Sequence, residues 1–255
     1  MGLKICALAS GSKGNCCYVS DGKTDILIDL GISATRAERC LSVLSVNPDN
    51  VTVLVTHAHT DHVNGIKMFC KKHKSVKIVC QKEVEGGVIG ATSVMPIVES
   101  RTFNIGDISV TALPVSHDVP CFGYVMSDGT HSVAVVTDIG RVSVEQMNAL
   151  SSCGIVMLES NHDVEMLKAN PRYDYKLKKR ILSDSGHLSN ADCAAACAFL
   201  AGSGVKRFIL AHLSEENNTP EIARREVESA ITDAGAHANI VVASQNAMTG
   251  LFEIC

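Results

Sequence analysis

The sequence contains no tryptophan, and aromatic residues make up only 4% of its 255 positions. That scarcity argues against a platform on which several bases stack in succession. Positive charge is not in surplus either: 23 lysines and arginines face 27 acids, a formal net charge of −4. A histone-like or wholly basic nucleic-acid binder is thereby excluded, although a local basic groove is not. Six prolines and 19 glycines are too few for a collagenous or low-complexity chain. No apolar stretch approaches the roughly 20 residues that a membrane span needs. The opening segment MGLKICALASGSKGN has no extended apolar region and no cleavage site of a secretory leader. The eleven cysteines form no CxxC pair, their number is odd, and most sit in apolar runs such as KIVC and LKICALA. They read as small buried hydrophobes, Cys193 with Cys197 and Cys16 with Cys17 included, in a chain of the reduced cytoplasm.

What is present is ample core material. With 46% hydrophobic residues the chain can bury a compact interior, and no linker or repeat interrupts it, so one domain over 1–255 is expected. Short apolar runs alternate with amphipathic stretches. Strands are predicted at 3–9, 16–20, 25–29, 51–56, 76–80, 108–115, 121–127, 131–137, 154–159, 206–211, 238–243 and near 250–254. Helices are predicted at 33–46, 63–73, 82–90, 143–151, 163–169, 174–183, 190–202 and 219–234, with Ser33, Ser143 and Asn190 as caps. The mixture predicts sheets covered by helices, a layered α/β architecture.

The strand ends carry the strongest signal. VTVLVT runs into His57, the strand from Val110 runs into His117, VAVVT into Asp138, and FILA into His212, while the strand ending at Leu158 leads to Glu159 and then His162. In open α/β sheets ligands gather beyond the carboxyl ends of the strands. One such ending is an ordinary loop residue, but four or five in one chain are not. The densest cluster is His57-Ala58-His59-Thr60-Asp61-His62. Side chains 57 and 59 project to one side of an extended segment, and Asp61 and His62 follow a turn. Imidazoles and carboxylates are good ligands for zinc and other first-row cations. Four ligands in six residues exceed what one tetrahedral ion with an open position can use, so two ions are the economical solution.

HAHTDH resembles the HxHxDH signature of the metallo-β-lactamase fold, and the match continues in order through His117, Asp138 and His212. SGSKGN (10–15), ILIDLGIS (26–33), LESNHD (158–163), SDSGHLSN (183–190) and LAHLSEENNTPEIA (210–223) narrow the resemblance to the YycJ/WalJ-like branch, over essentially the whole chain. The resemblance implies a four-layer αββα sandwich. It also implies a centre of two divalent ions per chain, with His57, His59 and His117 on the first, Asp61, His62 and His212 on the second, and Asp138 bridging. Zinc or manganese suits such ligands, and iron is compatible. Ions about 3.5–4 Å apart can share a hydroxide nucleophile and clamp a phosphoryl centre. His187 matches the non-ligand histidine that phosphodiesterase members use to protonate the leaving oxygen or hold the phosphate, and Asp61 can serve as proton acceptor while remaining a ligand. His162 is a candidate for direct catalysis and equally for a group that orients the site. Asp29 reads as a supporting carboxylate.

Other features are weighed more briefly. SGSKGN lacks the spacing of a Walker loop and reads as a tight turn beneath the site, with Ser12 or Asn15 near substrate. The basic runs at 71–74 and 176–180 (KLKKR) read as solvated faces, the second also as an attractor for a polyanion. His73, His131 and His237 are expected to be exposed, and Gly86, Gly87 and Gly90 to be turn or packing positions. Oxygen-reducing members of the fold carry a carboxylate where this chain has His59, and members with an inserted cap need more residues between Asp138 and His212. A compact phosphodiesterase remains, and the branch implies a DNA exonuclease working from the 5′ end; single-stranded DNA is the first substrate to try. A hydrolase of small phosphodiesters or esters and a non-enzymatic metal-holding regulator are the alternatives.

Overall fold

The structure, a computed structural model, describes residues 2–84, 94–97 and 102–254. In chain order the first elements are β1 Leu3–Ala9, β2 Cys16–Ser20, β3 Asp25–Ile28, α1 Ala34–Val43, β4 Val51–Leu54, α2 Thr60–Val63, α3 Ile66–Lys72, β5 Lys77–Gln81, β6 Val94–Ile97 and β7 Thr102–Ile105. There follow β8 Ile108–Val115, β9 Cys121–Ser127, β10 Ser132–Val136, α4 Val144–Leu150, β11 Ile155–Glu159, α5 Val164–Ala169 and α6 Tyr175–Ile181. The last are α7 Asn190–Ser203, β12 Arg207–Ala211, α8 Pro220–Asp233, β13 Asn239–Val242 and β14 Phe252–Ile254. The strands form two seven-stranded sheets, ordered β14-β1-β2-β3-β4-β5-β6 and β13-β12-β11-β10-β9-β8-β7. Both are mixed, an α+β arrangement: β1, β2 and β3 pair antiparallel and β3 to β6 parallel, while β10 to β13 are parallel and β7 pairs antiparallel with β8.

Two compact units are distinguished. The first comprises Met1–Ala112, Met126–His131 and Ser244–Cys255; the second comprises Leu113–Val125 and Ser132–Ala243. In the first, Leu27, Val53, Val55 and Ile78 pack with Leu41 of α1 and Phe69 of α3. In the second, Val136, Val156, Leu158, Phe208 and Leu210 pack with Cys193, Cys197 and Leu200 of α7 and with Ala223, Val227 and Ile231 of α8. These last helical positions recur at three and four residues, the spacing of one buried face. All ten described cysteines are buried free thiols, in keeping with their reading as packing residues. Among the described residues no helix is long and apolar enough to cross a membrane.

Parallel neighbours require crossovers, and the helices between β3 and β5 and between β10 and β13 supply them. The consequence is alignment of strand ends. In the second unit Val136 pairs with Leu158, Leu158 with Leu210, and Glu159 with Ala211. Asp138, Glu159 and His212 therefore leave the sheet at one edge. In the first unit Ile28 pairs with Leu54, which sets Asp29 beside the segment that enters His57.

Several expectations change. The helix predicted at 63–73 is two helices, α2 and α3, because a Cβ at Gly65 would overlap the carbonyl oxygen of Ile32, and the Gly65 amide donates to Leu30 O at 2.8 Å. Ser189, not Asn190, caps α7, its hydroxyl accepting from the Asp192 amide. Strands β6 and β7 escaped the sequence pattern: β6 contains Pro96, which argues against a strand interior, and β7 is a four-residue arm of a hairpin closed by Gly106 at φ 58. Of the predicted helix 82–90, residues 82–84 form a 3-10 turn; the remainder, with Gly86, Gly87 and Gly90, lies outside the described residues, as does Cys255. His73 is half-buried rather than exposed, since its ring lies 3.0 Å from Asp49 and 3.1 Å from Glu38. His131 is half-buried beside Asp128, while His237 is exposed.

Among the described glycines of the first unit, Gly31 makes the tightest backbone approach: a Cβ there would overlap the carbonyl oxygen of Asp61 and press on the Asn15 amide. Gly31→Ala is expected to cost about 1–3 kcal/mol of stability, as overpacking does. Urea unfolding measures this, and an unchanged midpoint would contradict the close approach.

Candidate metal centre

In the first unit, β4 delivers His57 and His59 on an extended segment, and α2 carries Asp61 and His62. His57 and His62 are buried, with His59 half-buried. The ring of His57 lies 4.6 Å from that of His59 and 4.1 Å from that of His62, centroid to centroid. Behind them sits Asp29, buried at the end of β3 in a left-handed backbone (φ 59). Its Oδ1 accepts from the Thr56 amide (2.8 Å), and its Oδ2 accepts from the Thr56 hydroxyl (2.9 Å) and lies 2.6 Å from His62 Nδ1. A carboxylate only accepts, so Thr56 spends its single proton on Asp29 and accepts from His57 Nδ1 at 3.0 Å. Both imidazoles are thus held through Nδ1, and Nε2 becomes the ligating nitrogen. Asn15 supports the same group. Its amide nitrogen lies 3.2 Å from Asp61 Oδ2 and 3.0 Å from His62 Nε2, while its Oδ1 accepts from the Gly11 amide. Of the two loop candidates, Asn15 is buried against these groups and Ser12 is exposed.

In the second unit the hub is Glu159, which is fully buried. Its Oε1 lies 2.8 Å from His187 Nδ1 and 2.8 Å from His212 Nδ1, and its Oε2 accepts from the Ile139 amide (2.8 Å). Burial alone would raise the Glu159 pKa; the charge on His187 and the hydrogen bonds from His187 and His212 outweigh it and draw it down to about 2. The same pair acts on His187. Burial disfavours its proton, but the Glu159 carboxylate prevails and its pKa is raised. Asp138 and His212 follow β10 and β12 in left-handed backbone, φ 57 and 54. Such conformations cost energy for residues other than glycine and persist where surroundings enforce them. Asn161 is one enforcer, donating its side-chain amide to His212 O at 2.7 Å. Donor atoms of Asp138, Glu159, His187 and His212 all lie within 4.8 Å of one another. His117 is 3.3 Å from Gly186 O through Nδ1, and its pKa is lowered by burial.

His162 is placed differently. It is 1% exposed, neither ring nitrogen has a hydrogen-bond partner, and burial pushes its pKa down to about 4. It does not join the Asp138, Glu159, His187 and His212 group. Its burial sets it apart from His187, which is half-buried. Glu159, by contrast, is marked in the sequence as the end of the apolar run IVML, but its role as the hub comes from its contacts with His187 and His212.

The donor sets fit divalent transition ions. Each unit offers imidazole nitrogens whose rings are oriented from behind by a buried carboxylate, Asp29 in one and Glu159 in the other, and each adds an aspartate. That is the environment in which histidine is held as a ligand.

Comparisons with known proteins agree. The family described as a beta-lactamase superfamily domain matches residues 24–213. The exodeoxyribonuclease YycJ of Bacillus anthracis is 34% identical over 244 residues, covering 92% of this chain and 91% of that protein. The exodeoxyribonuclease WalJ of Streptococcus pneumoniae is 32% identical over 268 residues, covering 100% and 99%. Among solved structures, the metallo-beta-lactamase fold protein YhfI of Bacillus subtilis matches with a TM-score of 0.76 at 15% identity, each chain covered in full, a likeness of fold. The chain therefore has the metallo-β-lactamase fold and belongs to the beta-lactamase superfamily, as an enzyme of that metallo-hydrolase group.

Proposed function

We propose that this chain is a di-metal phosphodiesterase that removes nucleotides from DNA, single strands included, beginning at the 5′ end. What carries the reading is the coincidence of a full donor set at the strand ends with similarity, over nearly the whole chain, to two proteins named exodeoxyribonucleases. His57, His59 and His117 would hold one ion and Asp61, His62 and His212 the other, with Asp138 available to both. The family match supports the assignment, because its span takes in every one of these residues. Zinc and manganese both suit imidazole and carboxylate ligands, and iron is compatible. Divalent cations bound there supply Lewis acidity, which polarises a phosphodiester and makes a water nucleophile available near neutral pH.

The chain's own groups do the rest. Asp29 and Thr56 fix the ring orientation of His62 and His57. Asn15 orients the Asp61 carboxylate, which accepts a proton from the attacking water. Glu159 binds His187 through Nδ1 and favours its protonated form, so Nε2 is the atom that donates a proton to the leaving oxygen. His187 is half-buried, which lets it reach a substrate, whereas Glu159 is sealed. Residence in the cytoplasm is supported by ten described cysteines kept as free thiols.

The test is degradation of oligonucleotides labelled at either end, with chelator and metal add-back. The expected result is metal-dependent loss that starts at the 5′ label. Turnover of a small chromogenic phosphodiester with no DNA loss would instead favour the small-ester alternative, and a metal-loaded chain inert on both would favour the regulator. His187→Ala is expected to keep its metal and lose about 10²–10⁴ in rate; degradation at the parent rate would refute the acid role. Glu159→Gln is expected to lower metal affinity or activity by about 10–100-fold. Equilibrium dialysis and initial rates together check this, and no change in either would show that the buried carboxylate does not orient the site.

A further inference from the structure

The basic run KLKKR lies on α6, which holds Lys176, Lys178, Lys179 and Arg180. Between α5 and α6 is a cleft of about 620 Å³ lined by Lys168, Tyr175, Lys178, Lys179, Leu182 and Ser183. Its composition stands out in a chain of net charge −4 with 4% aromatic content. The cleft lining includes three lysines and no acid. Tyr175 is 78% exposed and Leu182 44%, an open aromatic face beside an open aliphatic one. Lysines at the carboxyl end of a helix stabilise its dipole, which explains Lys178 and Lys179 without any ligand. It does not explain a tyrosine spread in water at the other end of the same helix.

The cleft is also tied to the candidate catalytic residue. The His187 amide donates to Ile181 O at 3.0 Å, and the Gly186 amide to Ser183 O at 2.8 Å. A Cβ at Gly186 would overlap the carbonyl oxygens of Arg180 and Ile181, so the loop bearing His187 sits directly on the end of α6. Arg180 pairs with Asp118 at 3.2 Å, next to His117. Tyr175 lies six residues before Ile181, roughly 9 Å along the helix at 1.5 Å per residue. Lys178 is partly committed, donating to Lys168 O at 2.7 Å, and Lys168 pairs with Glu165 at 2.9 Å; Lys179 is exposed on the rim.

We infer that this cleft is a subsite for single-stranded DNA a few nucleotides from the scissile phosphate, with Tyr175 stacking on one base and the lysines, Lys179 foremost, receiving the backbone phosphates. The inference rests on the nuclease reading and adds to it where the strand lies. One aromatic face serves one base, which agrees with a chain too poor in aromatics for a longer platform. Phosphate contacts position the strand without reading its sequence.

The experiment compares Tyr175→Ala, Lys179→Gln and the double variant with the unaltered, metal-loaded chain, on a single-stranded oligonucleotide and on a small chromogenic phosphodiester. Expected is a rise in KM for the oligonucleotide of about 5-fold or more for Tyr175→Ala, the fold-change that corresponds to loss of one stacking contact. Turnover of the small phosphodiester and metal content should stay unchanged, which shows the fold and centre intact. For Lys179→Gln, the slope of log affinity against log salt should fall by about 0.7, one phosphate contact on a single strand. Unaltered oligonucleotide KM and salt slope in all three, with DNA still degraded, would overturn the subsite while leaving the nuclease reading standing, and would leave the cleft to a protein partner. Absence of DNA loss by the unaltered chain would overturn both.

Discussion

Two buried carboxylates, Asp29 and Glu159, impose the arrangement on which the rest depends. Taking a carboxylate out of water is costly unless it is paired and hydrogen-bonded. Asp29 meets the Thr56 amide, the Thr56 hydroxyl and His62; Glu159 meets His187, His212 and the Ile139 amide. Each pairing captures an imidazole by Nδ1 and so decides which nitrogen is presented to a ligand. The carboxylates never need to touch a substrate. Their effect is to convert flexible histidines into donors of set orientation and tautomer.

The sheets make this possible. Register along β10, β11 and β12 brings Asp138, Glu159 and His212 out of the sheet side by side, and pairing of β3 with β4 does the same for Asp29 and the segment leading to His57. Three of the four non-glycine residues with positive φ among the described residues are Asp29, Asp138 and His212, each just past a strand. The strand ends are bent back under strain at the positions where chemistry is expected. Asn161, holding the His212 carbonyl, shows how a neighbouring amide keeps such a bend in place.

Much of this was legible in the sequence, for a physical reason. A buried parallel strand is a continuous apolar run, so a histidine or aspartate that abruptly ends it is conspicuous, and HAHTDH adds a local density of donors that a solvated turn does not need. The elements followed from apolar periodicity, with Ser33 and Ser143 capping α1 and α4 as read. Glu159 stands out as one strand end among five, but one acid after one strand carries no spacing signature that gives it a role; only register against β12 shows that it meets His212. The break at Gly65 depends on a carbonyl of Ile32 from an earlier loop, which no periodicity shows. His162 is buried along with Ser160 and Asn161 of the same SNHD segment, a placement that the polar character of those residues does not foretell. His73 and His131 looked solvated because their acidic partners are supplied by other positions, or by a turn, that composition does not single out.

The basic helix α6 illustrates the opposite limit. In sequence its lysines were as consistent with a solvated face as with a polyanion track; in the structure the loop of His187 rests on its end. That contact converts a charge run into a feature with a place relative to the chemistry. The account as a whole rests on the strand-end donors being a metal centre. Titration of the chelator-stripped chain with zinc and with manganese, followed by calorimetry, tests this most directly. Saturation at a pair of ions per chain, lost when Asp138 is replaced by alanine, is the result the account predicts. A chain that binds neither metal at these residues would contradict it.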